Sequence, residues 1–197
     1  MAQWLVFCND KQHNVPYIRT VMRIGIISDI HANFTALKAV AAELKGLTIE
    51  KLICLGDIVG YGPEPEKCYR FIAENADITI QGNHDAAVSG VISTRRFNAA
   101  AAKAVTWTKN NFSSGGSRFL ASLPLINVWE GLTLAHANIH APASFDYIIT
   151  EQDAVQSFRT SNTRVSFIGH THRQECFVKD ENQKITICTD KTVPIQD

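Results

Sequence analysis

Five short polar clusters constrain the fold of this chain most, because each comes directly after an apolar run typical of a β-strand. The clusters contain seven side chains that could bind a metal, namely Asp29, His31, Asp57, Asn83, His136, His170 and His172. Polar residues at the ends of successive strands can converge on one pocket. Oxygen and imidazole ligands suit divalent metals of hard to borderline character. The clusters therefore predict a metalloenzyme built on β-strands.

Two of the clusters contain ligand pairs spaced two residues apart. Asp29 and His31 form one pair, and His170 and His172 form the other. In an extended strand, residues i and i+2 face the same side, so each pair can direct two ligand atoms at one point. Each cluster is weak alone, and a lone histidine such as His136 is more often a core or surface residue than a ligand. The order of the clusters after successive strands makes chance a poor explanation.

The composition limits the class of function. A length of 197 residues fits one domain with a sizeable core. The chain has 19 basic residues (lysine plus arginine) and 19 acidic residues (aspartate plus glutamate). Its formal net charge is therefore zero, and no overall electrostatic attraction to nucleic acid or to an anionic membrane is expected. The five cysteines form no C-x-x-C pair, which favours a reducing, cytoplasmic location. No apolar run reaches transmembrane length.

Hydrophobic periodicity and turn signals predict an α/β chain. Strands are predicted at residues 23–28, 51–55, 77–80, 125–129, 132–135, 165–168, 175–179 and 184–189. Helices are predicted at about residues 33–45, 65–74, 97–112 and 151–159, with a short helix that follows Gly115-Gly116 and ends at Ser122. The first half is thus βαβαβ, and the second half consists mainly of strand pairs. This order predicts mixed sheets with helices outside them.

The N-terminal segment lacks this pattern. Residues 1–21 are polar apart from the apolar run at 4–8, and they contain none of the five clusters. We expect a flexible or loosely docked extension, followed by one domain over residues 22–197. Signatures of other site types are missing from the chain, including G-x-x-x-x-G-K-[ST], H-E-x-x-H and G-x-S-x-G. Arg95-Arg96 is an isolated basic pair and gives no strong nucleic-acid signal.

Together, the clusters D-x-H, G-D, G-N-H-D, H and G-H-T-H resemble those of the calcineurin-like metallophosphoesterase superfamily. Residues 56–63 look like its small bacterial and archaeal phosphodiesterase branch. The G-D-x-x-D-R-G pattern of the protein serine/threonine phosphatase branch is replaced by GDIVGYG at residues 56–62, which disfavours that branch. The resemblance implies a four-layer αββα sandwich of two mixed β-sheets flanked by helices, with a binuclear metal centre at the strand ends.

The resemblance also implies a role for each cluster residue. One metal would be bound by Asp29, His31, Asp57 and His172. The other would be bound by Asp57, Asn83, His136 and His170, with Asp57 bridging the two ions. His84 would face the substrate and donate a proton to the leaving oxygen. The cofactors implied are two divalent ions, Mn first and Fe, Zn, Ni or Co as alternatives, with a bridging hydroxide as the nucleophile.

The function implied is metal-dependent hydrolysis of a small phosphorylated substrate, preferentially a phosphodiester. Cyclic nucleotides, nucleic-acid ends, dinucleoside polyphosphates and small phosphodiesters all fit. The alternative is a non-catalytic, phosphoesterase-like scaffold for protein partners, as in the retromer subunit of this fold. The presence of His84 favours the enzyme. A purely structural metal site is disfavoured, since structural zinc sites are typically closed and rich in cysteine.

One departure from the family pattern concerns the C-terminal end. Relatives of this branch usually continue past the last hairpin with a further strand and a glycine-rich N-P-G-S-x-G-x-P-R segment, which this sequence does not contain. We therefore expect a domain without that last strand. An open sheet edge invites pairing with another chain, so we also expect a homo-oligomer or low stability.

Overall fold

The computed structural model of the protein describes the backbone of residues 5–9 and all of residues 22–190. The strands in this part of the chain are β1 Leu5–Asn9, β2 Ile24–Ile27, β3 Lys51–Cys54, β4 Ile78–Thr79, β5 Ile126–Trp129, β6 Leu132–Ala135, β7 Val165–Ile168, β8 Glu175–Lys179 and β9 Ile185–Cys188. The α-helices are α1 Phe34–Gly46, α2 Pro65–Asn75, α3 Asn83–Ser89, α4 Ala99–Asn110, α5 Ser114–Ser122 and α6 Glu151–Thr160.

The strands form two sheets. The smaller sheet has the order β2-β3-β4, and its strands run parallel, as expected when helices connect successive strands. The larger sheet has the order β5-β6-β7-β1-β8-β9. It is mixed, since β6 and β7 run parallel whereas the β5-β6 and β8-β9 pairs are antiparallel hairpins.

Side chains alternate between the two faces of each sheet and so build successive layers. In β2, Ile26 points into the core between the sheets, where it joins Leu134 of β6, whereas Ile27 packs against helices. The helical layer on that side contributes the buried residues Leu37, Ile72, Val88, Val105 and Leu120. On the outer face of the larger sheet, Phe177 packs with Phe158 of α6. The predicted four-layer αββα sandwich is confirmed, with the difference that the smaller sheet is parallel rather than mixed.

Most helix starts follow local capping signals. The side-chain oxygen of Asn33 accepts a hydrogen bond from Ala36 N–H at 3.0 Å and begins α1 near the predicted position. Helix α5 begins before Gly115-Gly116 rather than after it, because Ser113 Oγ caps Gly116 N–H at 3.0 Å. Gly116 also leaves room for the ring of Phe112, which a side chain there would strike.

Helix α3 was not predicted from the sequence. It contains 7 residues, too few for a clear hydrophobic period, and every residue from His84 to Val88 is buried. The helix begins directly after Gly82, whose N–H donates to the carboxylate of Asp85 at 3.1 Å. The G-N-H-D cluster therefore forms the first turn of a buried helix.

The N-terminal strand β1 lies inside the larger sheet. It pairs antiparallel with β7 and parallel with β8, so that Val6 lies opposite Phe167 on one side and Cys176 on the other. This corrects the expectation of a loosely docked extension for Leu5–Asn9, whose apolar run suits a central strand. The rest of the segment lies outside the described residues, and the division into extension and domain stays a prediction.

The edges of the larger sheet are formed, in the described part of the chain, by β5 and β9. The predicted hairpin of β8 and β9 is present, with Cys176 opposite Cys188. Residues after Asp190 lie outside the described part, and self-association through an open edge stays a prediction. No helix among residues 22–190 is long and apolar enough to cross a membrane.

Candidate metal centre

The seven predicted ligands lie together where the two sheets present the carboxyl ends of their strands. The smaller sheet supplies four of them: Asp29 and His31 after β2, Asp57 after β3, and Asn83 in the first turn of α3 after β4. The larger sheet supplies three: His136 directly after β6, and His170 and His172 after β7. Because β6 and β7 are parallel neighbours, their following loops meet at the same edge.

Five of these residues have a left-handed backbone conformation, which residues other than glycine rarely adopt. The φ angles are 54° at Asp29, 49° at His31, 51° at Asp57, 68° at His170 and 54° at His172. A positive φ is uncommon for residues other than glycine. Such strain persists where the surrounding structure enforces it, and it concentrates at functional sites.

Hydrogen bonds from backbone N–H groups join these loops to one another. Asp29 N–H donates to the carbonyl of Gly56 at 3.0 Å, and His31 N–H donates to the carbonyl of Asp57 at 2.8 Å. His170 N–H donates to Asp29 Oδ2 at 3.0 Å, which joins the loops of the two sheets. The candidate ligands are therefore held by hydrogen bonds to the backbone and side chains of neighbouring loops.

The first group of candidate ligand atoms comes from Asp29, His31 and His172. The Nε2 atoms of His31 and His172 lie 3.0 Å apart, and His172 Nε2 lies 3.2 Å from Asp29 Oδ1. Asp29 Oδ1 is buried and accepts no hydrogen bond. At metal–nitrogen distances of roughly 2.0–2.1 Å, two nitrogens on one ion lie roughly 3 Å apart, which matches this group.

The second group comes from Asp57, His136 and His170, with Asn83 beside them. His136 Nε2 lies 3.2 Å from His170 Nδ1, 3.2 Å from Asn83 Oδ1 and 3.4 Å from Asp57 Oδ2. The other ring nitrogen of His136, Nδ1, donates to the carbonyl of Leu55 at 2.8 Å. A hydrogen bond of this kind fixes the ring and directs Nε2 towards a metal.

Asp57 is part of the second group and lies next to the first. Its Oδ2 lies 3.7 Å from His31 Nε2 and 3.4 Å from His136 Nε2, so one carboxylate oxygen faces both sides. Its Oδ1 accepts a hydrogen bond from the backbone N–H of His84 at 2.8 Å. Gly82 makes this approach feasible, because a Cβ at that position would collide with Asp57 Oδ1.

The titratable groups of the site compensate one another's charge. Burial raises the pKa of Asp57, but the positive charge of His136 lowers it more, to well below its usual range. Burial lowers the pKa of His136, but the carboxylate of Asp57 raises it more, to about 9. Burial and then the charge of His136 lower the pKa of His170 to about 4. The buried carboxylates therefore favour a cation at the position of His136 Nε2, and a divalent metal fits this donor set.

A model of the calcineurin-like phosphoesterase superfamily domain matches residues 22–188 of the chain. The chain belongs to this superfamily. The superfamily predicted from the motifs is thus confirmed. Members of this superfamily typically bind divalent metals.

Similar proteins support the assignment to the phosphoesterase superfamily. An uncharacterised protein of Methanocaldococcus jannaschii, MJ0912, is 38% identical over 154 residues, which is 76% of this chain and 62% of that protein. The crystal structure of a metallophosphoesterase from Sphaerobacter thermophilus is 37% identical and has a TM-score of 0.68, with 78% of this chain and 62% of that chain covered. The chain thus spans less than two thirds of the length of both relatives.

A third structure shows the fold alone. The hypothetical protein PH1004 from Pyrococcus horikoshii OT3 is 17% identical, has a TM-score of 0.62 and covers 85% of this chain and 87% of its own. The two chains therefore share a fold over most of their length, although few of their residues are identical.

His84 lies beside the candidate ligands of the phosphoesterase site. Its ring centroid is 4.9 Å from that of His31, 4.7 Å from Tyr61 and 5.1 Å from Phe97. Burial lowers the pKa of His84, and its Nδ1 is buried without a hydrogen-bond partner. A Cβ at Gly60, which has a φ of 95°, would collide with this ring. Ligand atoms of His84, His31 and Asp57 also lie close together, so His84 is near enough to take part in metal binding.

Asp85 is a supporting residue to which the sequence reasoning gave no role. Its buried carboxylate accepts hydrogen bonds from the backbone N–H groups of Ile58 at 2.9 Å, Val59 at 3.2 Å and Gly82 at 3.1 Å. It thereby joins the loop that carries Asp57 to the first turn of α3. Burial and the charge of Asp57 raise the pKa of Asp85 to about 7, while the three N–H donors favour the ionised form. In the sequence, the position of Asp85 directly after Asn83-His84 was the one indication that it belongs to the site.

Proposed function

We propose that this chain is a metal-dependent phosphoesterase that hydrolyses phosphodiesters. The observation that carries the proposal is the convergence of five loops into two adjoining groups of ligand atoms, with Asp57 in the group of His136 and also 3.7 Å from His31 of the other group. A structural metal site needs only one such group. Two adjoining groups with a shared carboxylate suit a pair of divalent ions, which is the arrangement used for in-line displacement at phosphorus.

The proposed ligands are those that the superfamily resemblance implies, and the two groups of ligand atoms support them. Asp29, His31, Asp57 and His172 would hold one ion, and Asp57, Asn83, His136 and His170 would hold the other. We propose Mn²⁺ as the first metal to test, with Fe, Zn, Ni and Co as alternatives, because mixed oxygen and imidazole ligands accept all of these. When bound, two divalent ions would stabilise charge on phosphate oxygens and lower the pKa of water to supply a nucleophile.

The residues of the chain would attract and orient the phosphate. Asp29 and Asp57 neutralise only part of the charge of two divalent ions, so the site would be cationic in a chain of zero formal net charge. His84 would hold a proton for the leaving oxygen. Burial lowers the pKa of His84, as bound divalent ions would, whereas the carboxylates of Asp57 and Asp29 and an anionic phosphoester beside the ring would raise it and favour the protonated acid.

The shape of the surface supports a diester substrate. A central depression of about 240 Å³ is bordered by His31, Asp57, His84 and His170. A cavity of about 600 Å³ adjoins it on the side of His31 and Pro63, and another of about 490 Å³ adjoins it on the side of His84. A phosphorus atom bound at the centre would thus have room for an organic group on each side.

The test compares a diester with a monoester after metal loading. The purified protein would be stripped with a chelator, reconstituted with Mn²⁺ and assayed with bis(p-nitrophenyl) phosphate and p-nitrophenyl phosphate, while bound metal is counted. We expect about two ions per chain and faster hydrolysis of the diester. Bound metal without hydrolysis of either ester would favour the non-catalytic scaffold instead.

A further inference from the structure

A cavity beside His84 extends away from the candidate metal centre. It lies between two short 3-10 turns, Thr94–Arg96 and Pro142–Ser144, and has a volume of about 490 Å³. We call it the side pocket and define it by the bordering residues Tyr61, His84, Phe97, Phe145, Tyr147 and His170. Its size lies within the roughly 300–1,000 Å³ of typical small-molecule sites.

The wall of the side pocket nearest the metal centre is aromatic. The ring of Tyr147 stacks on His170, with centroids 4.1 Å apart and planes 13° apart. Tyr61 and Phe97 pack around His84 at 4.7 and 5.1 Å. Tyr147 is nevertheless 55% exposed and Tyr61 49% exposed. Open aromatic faces beside a catalytic site offer stacking surfaces for a planar ligand group.

The rim of the side pocket is polar but its charge is compensated. Arg96, the one lysine or arginine among the described lining residues, pairs with Asp146 at 2.9 Å. The Asp146 carboxylate also accepts a hydrogen bond from the hydroxyl of Ser144 at 2.7 Å. The pocket therefore offers no uncompensated cation for a second phosphate. It suits an uncharged, planar group with polar edges.

The segment that carries Tyr147 is anchored at the two residues directly before it. Phe145 is buried in a left-handed conformation with a φ of 52°, and its ring lies 6.0 Å from that of His136. The next residue, Asp146, is held by the ion pair with Arg96. Two anchors directly before Tyr147 limit its freedom, so binding of a ligand to this ring requires little further ordering.

We propose that the side pocket binds the nucleoside part of a nucleotide phosphoester, with the base stacked on the exposed face of Tyr147. This inference rests on the proposed phosphoesterase function, because the phosphate of such a ligand would occupy the metal centre beside His170. The nucleoside is the class that combines a planar aromatic base, polar edges, no charge and a phosphate attached at one end.

The experiment compares two monophosphates that differ only in the base. Binding of adenosine 5′-monophosphate and of ribose 5-phosphate to the Mn²⁺-loaded protein would be measured by calorimetry. We expect the base to tighten binding by roughly 5- to 100-fold, the range for stacking on one aromatic side chain. Tyr147→Phe should keep this ratio of the affinity for adenosine 5′-monophosphate to that for ribose 5-phosphate. Tyr147→Leu, which keeps bulk against His170 without an aromatic face, should bring the affinity ratio close to one.

The matched control is Trp107→Ala, since Trp107 is 44% exposed on α4 and does not border the pocket. It should leave the ratio unchanged. A ratio near one in the unaltered protein, or an unchanged ratio in Tyr147→Leu with normal metal content, would overturn the pocket assignment. If bis(p-nitrophenyl) phosphate is hydrolysed while the ratio is near one, only this inference fails. If neither sugar phosphate binds and no ester is hydrolysed, the proposed function fails with it.

Discussion

The carboxylate of Asp57 accepts a hydrogen bond from the backbone N–H of His84, with 2.8 Å between the oxygen and the nitrogen. The other oxygen of the same carboxylate faces His31 at 3.7 Å and His136 at 3.4 Å. One side chain therefore connects both groups of candidate ligands and also places the backbone of the candidate acid. Loss of its charge should affect the whole site rather than one part of it.

Asp57→Asn should remove both metals. The neutral amide that replaces the carboxylate cannot neutralise two cations. By contrast, Asn83→Ala should weaken mainly the binding of the ion held by His136 and His170. Metal-to-protein ratios after dialysis, measured by atomic spectrometry for the three proteins, check this expectation. If Asp57→Asn keeps two tightly bound ions, the shared role of the carboxylate is wrong.

Metal uptake should release a proton from His136 and tighten as the pH rises. The ring of His136 is charged at pH 7 in the metal-free chain, because burial lowers its pKa but Asp57 raises it more, to about 9. Its Nε2 must lose that proton to bind a metal. Burial and the charge of His136 lower the pKa of His170 to about 4, so that ring is already neutral.

The affinity for Mn²⁺ should therefore increase between pH 7 and 9, by up to about tenfold per pH unit for one proton, and level off above that range. Calorimetry in two buffers of different ionisation enthalpy would count the protons released. Among the other groups near His136, Asp29 and Asp57 have a lowered pKa and are ionised throughout this range, whereas burial and then the charge of Asp57 raise the pKa of Asp85 to about 7, so that Asp85 titrates at the lower end of the range. A constant affinity from pH 7 to 9 would contradict the charged state of His136.

The ligand positions could be predicted from the sequence because their signals are local. An apolar run predicts a strand, and a polar cluster directly after it lies at the strand end, as for Asp29, Asp57 and His170. The cap at Asn33 is equally local, since its side chain bonds three residues further on. Local patterns of this kind are present in the printed sequence without any knowledge of the fold.

Features that depend on distant partners could not be predicted. The strand β1 has an apolar run, but its place depends on β7 and β8 at the other end of the chain. Tyr147 has no local signal, because its relevance comes from the ring of His170 and the anchors at Phe145 and Asp146. In each case the missing information is a tertiary contact rather than a propensity.

Removal of residues 1–21 should lower both thermal stability and metal affinity. The deletion takes β1 from between β7 and β8, the two strands that flank the loop with His170 and His172. Each kcal/mol of unfolding free energy that is lost lowers the thermal midpoint by roughly 2–4 °C for a domain of this size.

Val6→Pro, which removes one backbone N–H from a central strand, should also lower the thermal midpoint. Val6→Thr keeps that N–H and serves as the control; an unchanged midpoint after the deletion would exclude a structural role for β1.

Asp85→Asn should destabilise the fold and loosen the loop that carries Asp57. The carboxylate accepts three backbone hydrogen bonds, and an amide would turn its NH₂ group towards one of those donors. The expected loss is about 1–3 kcal/mol of unfolding free energy. Asp77→Asn is the control, since the asparagine oxygen can keep the hydrogen bond from the Leu52 N–H, and the partly exposed ion pair with Lys51 that is lost contributes about 1 kcal/mol or less. Equal midpoints in thermal unfolding for the two variants would contradict the role of Asp85.

His84→Ala and His84→Asn should lower kcat strongly while the metal content stays nearly unchanged. A general acid contributes roughly 10²–10⁴-fold to the rate, and His84 is placed beside the candidate centre by its backbone bond to Asp57. The loss should be larger for an alkyl ester than for a nitrophenyl ester, because nitrophenolate departs without a proton. Rates for matched methyl and nitrophenyl diesters, with metal counted in each protein, check this. Equal losses for both esters would exclude the acid role, and loss of one ion would make His84 a ligand.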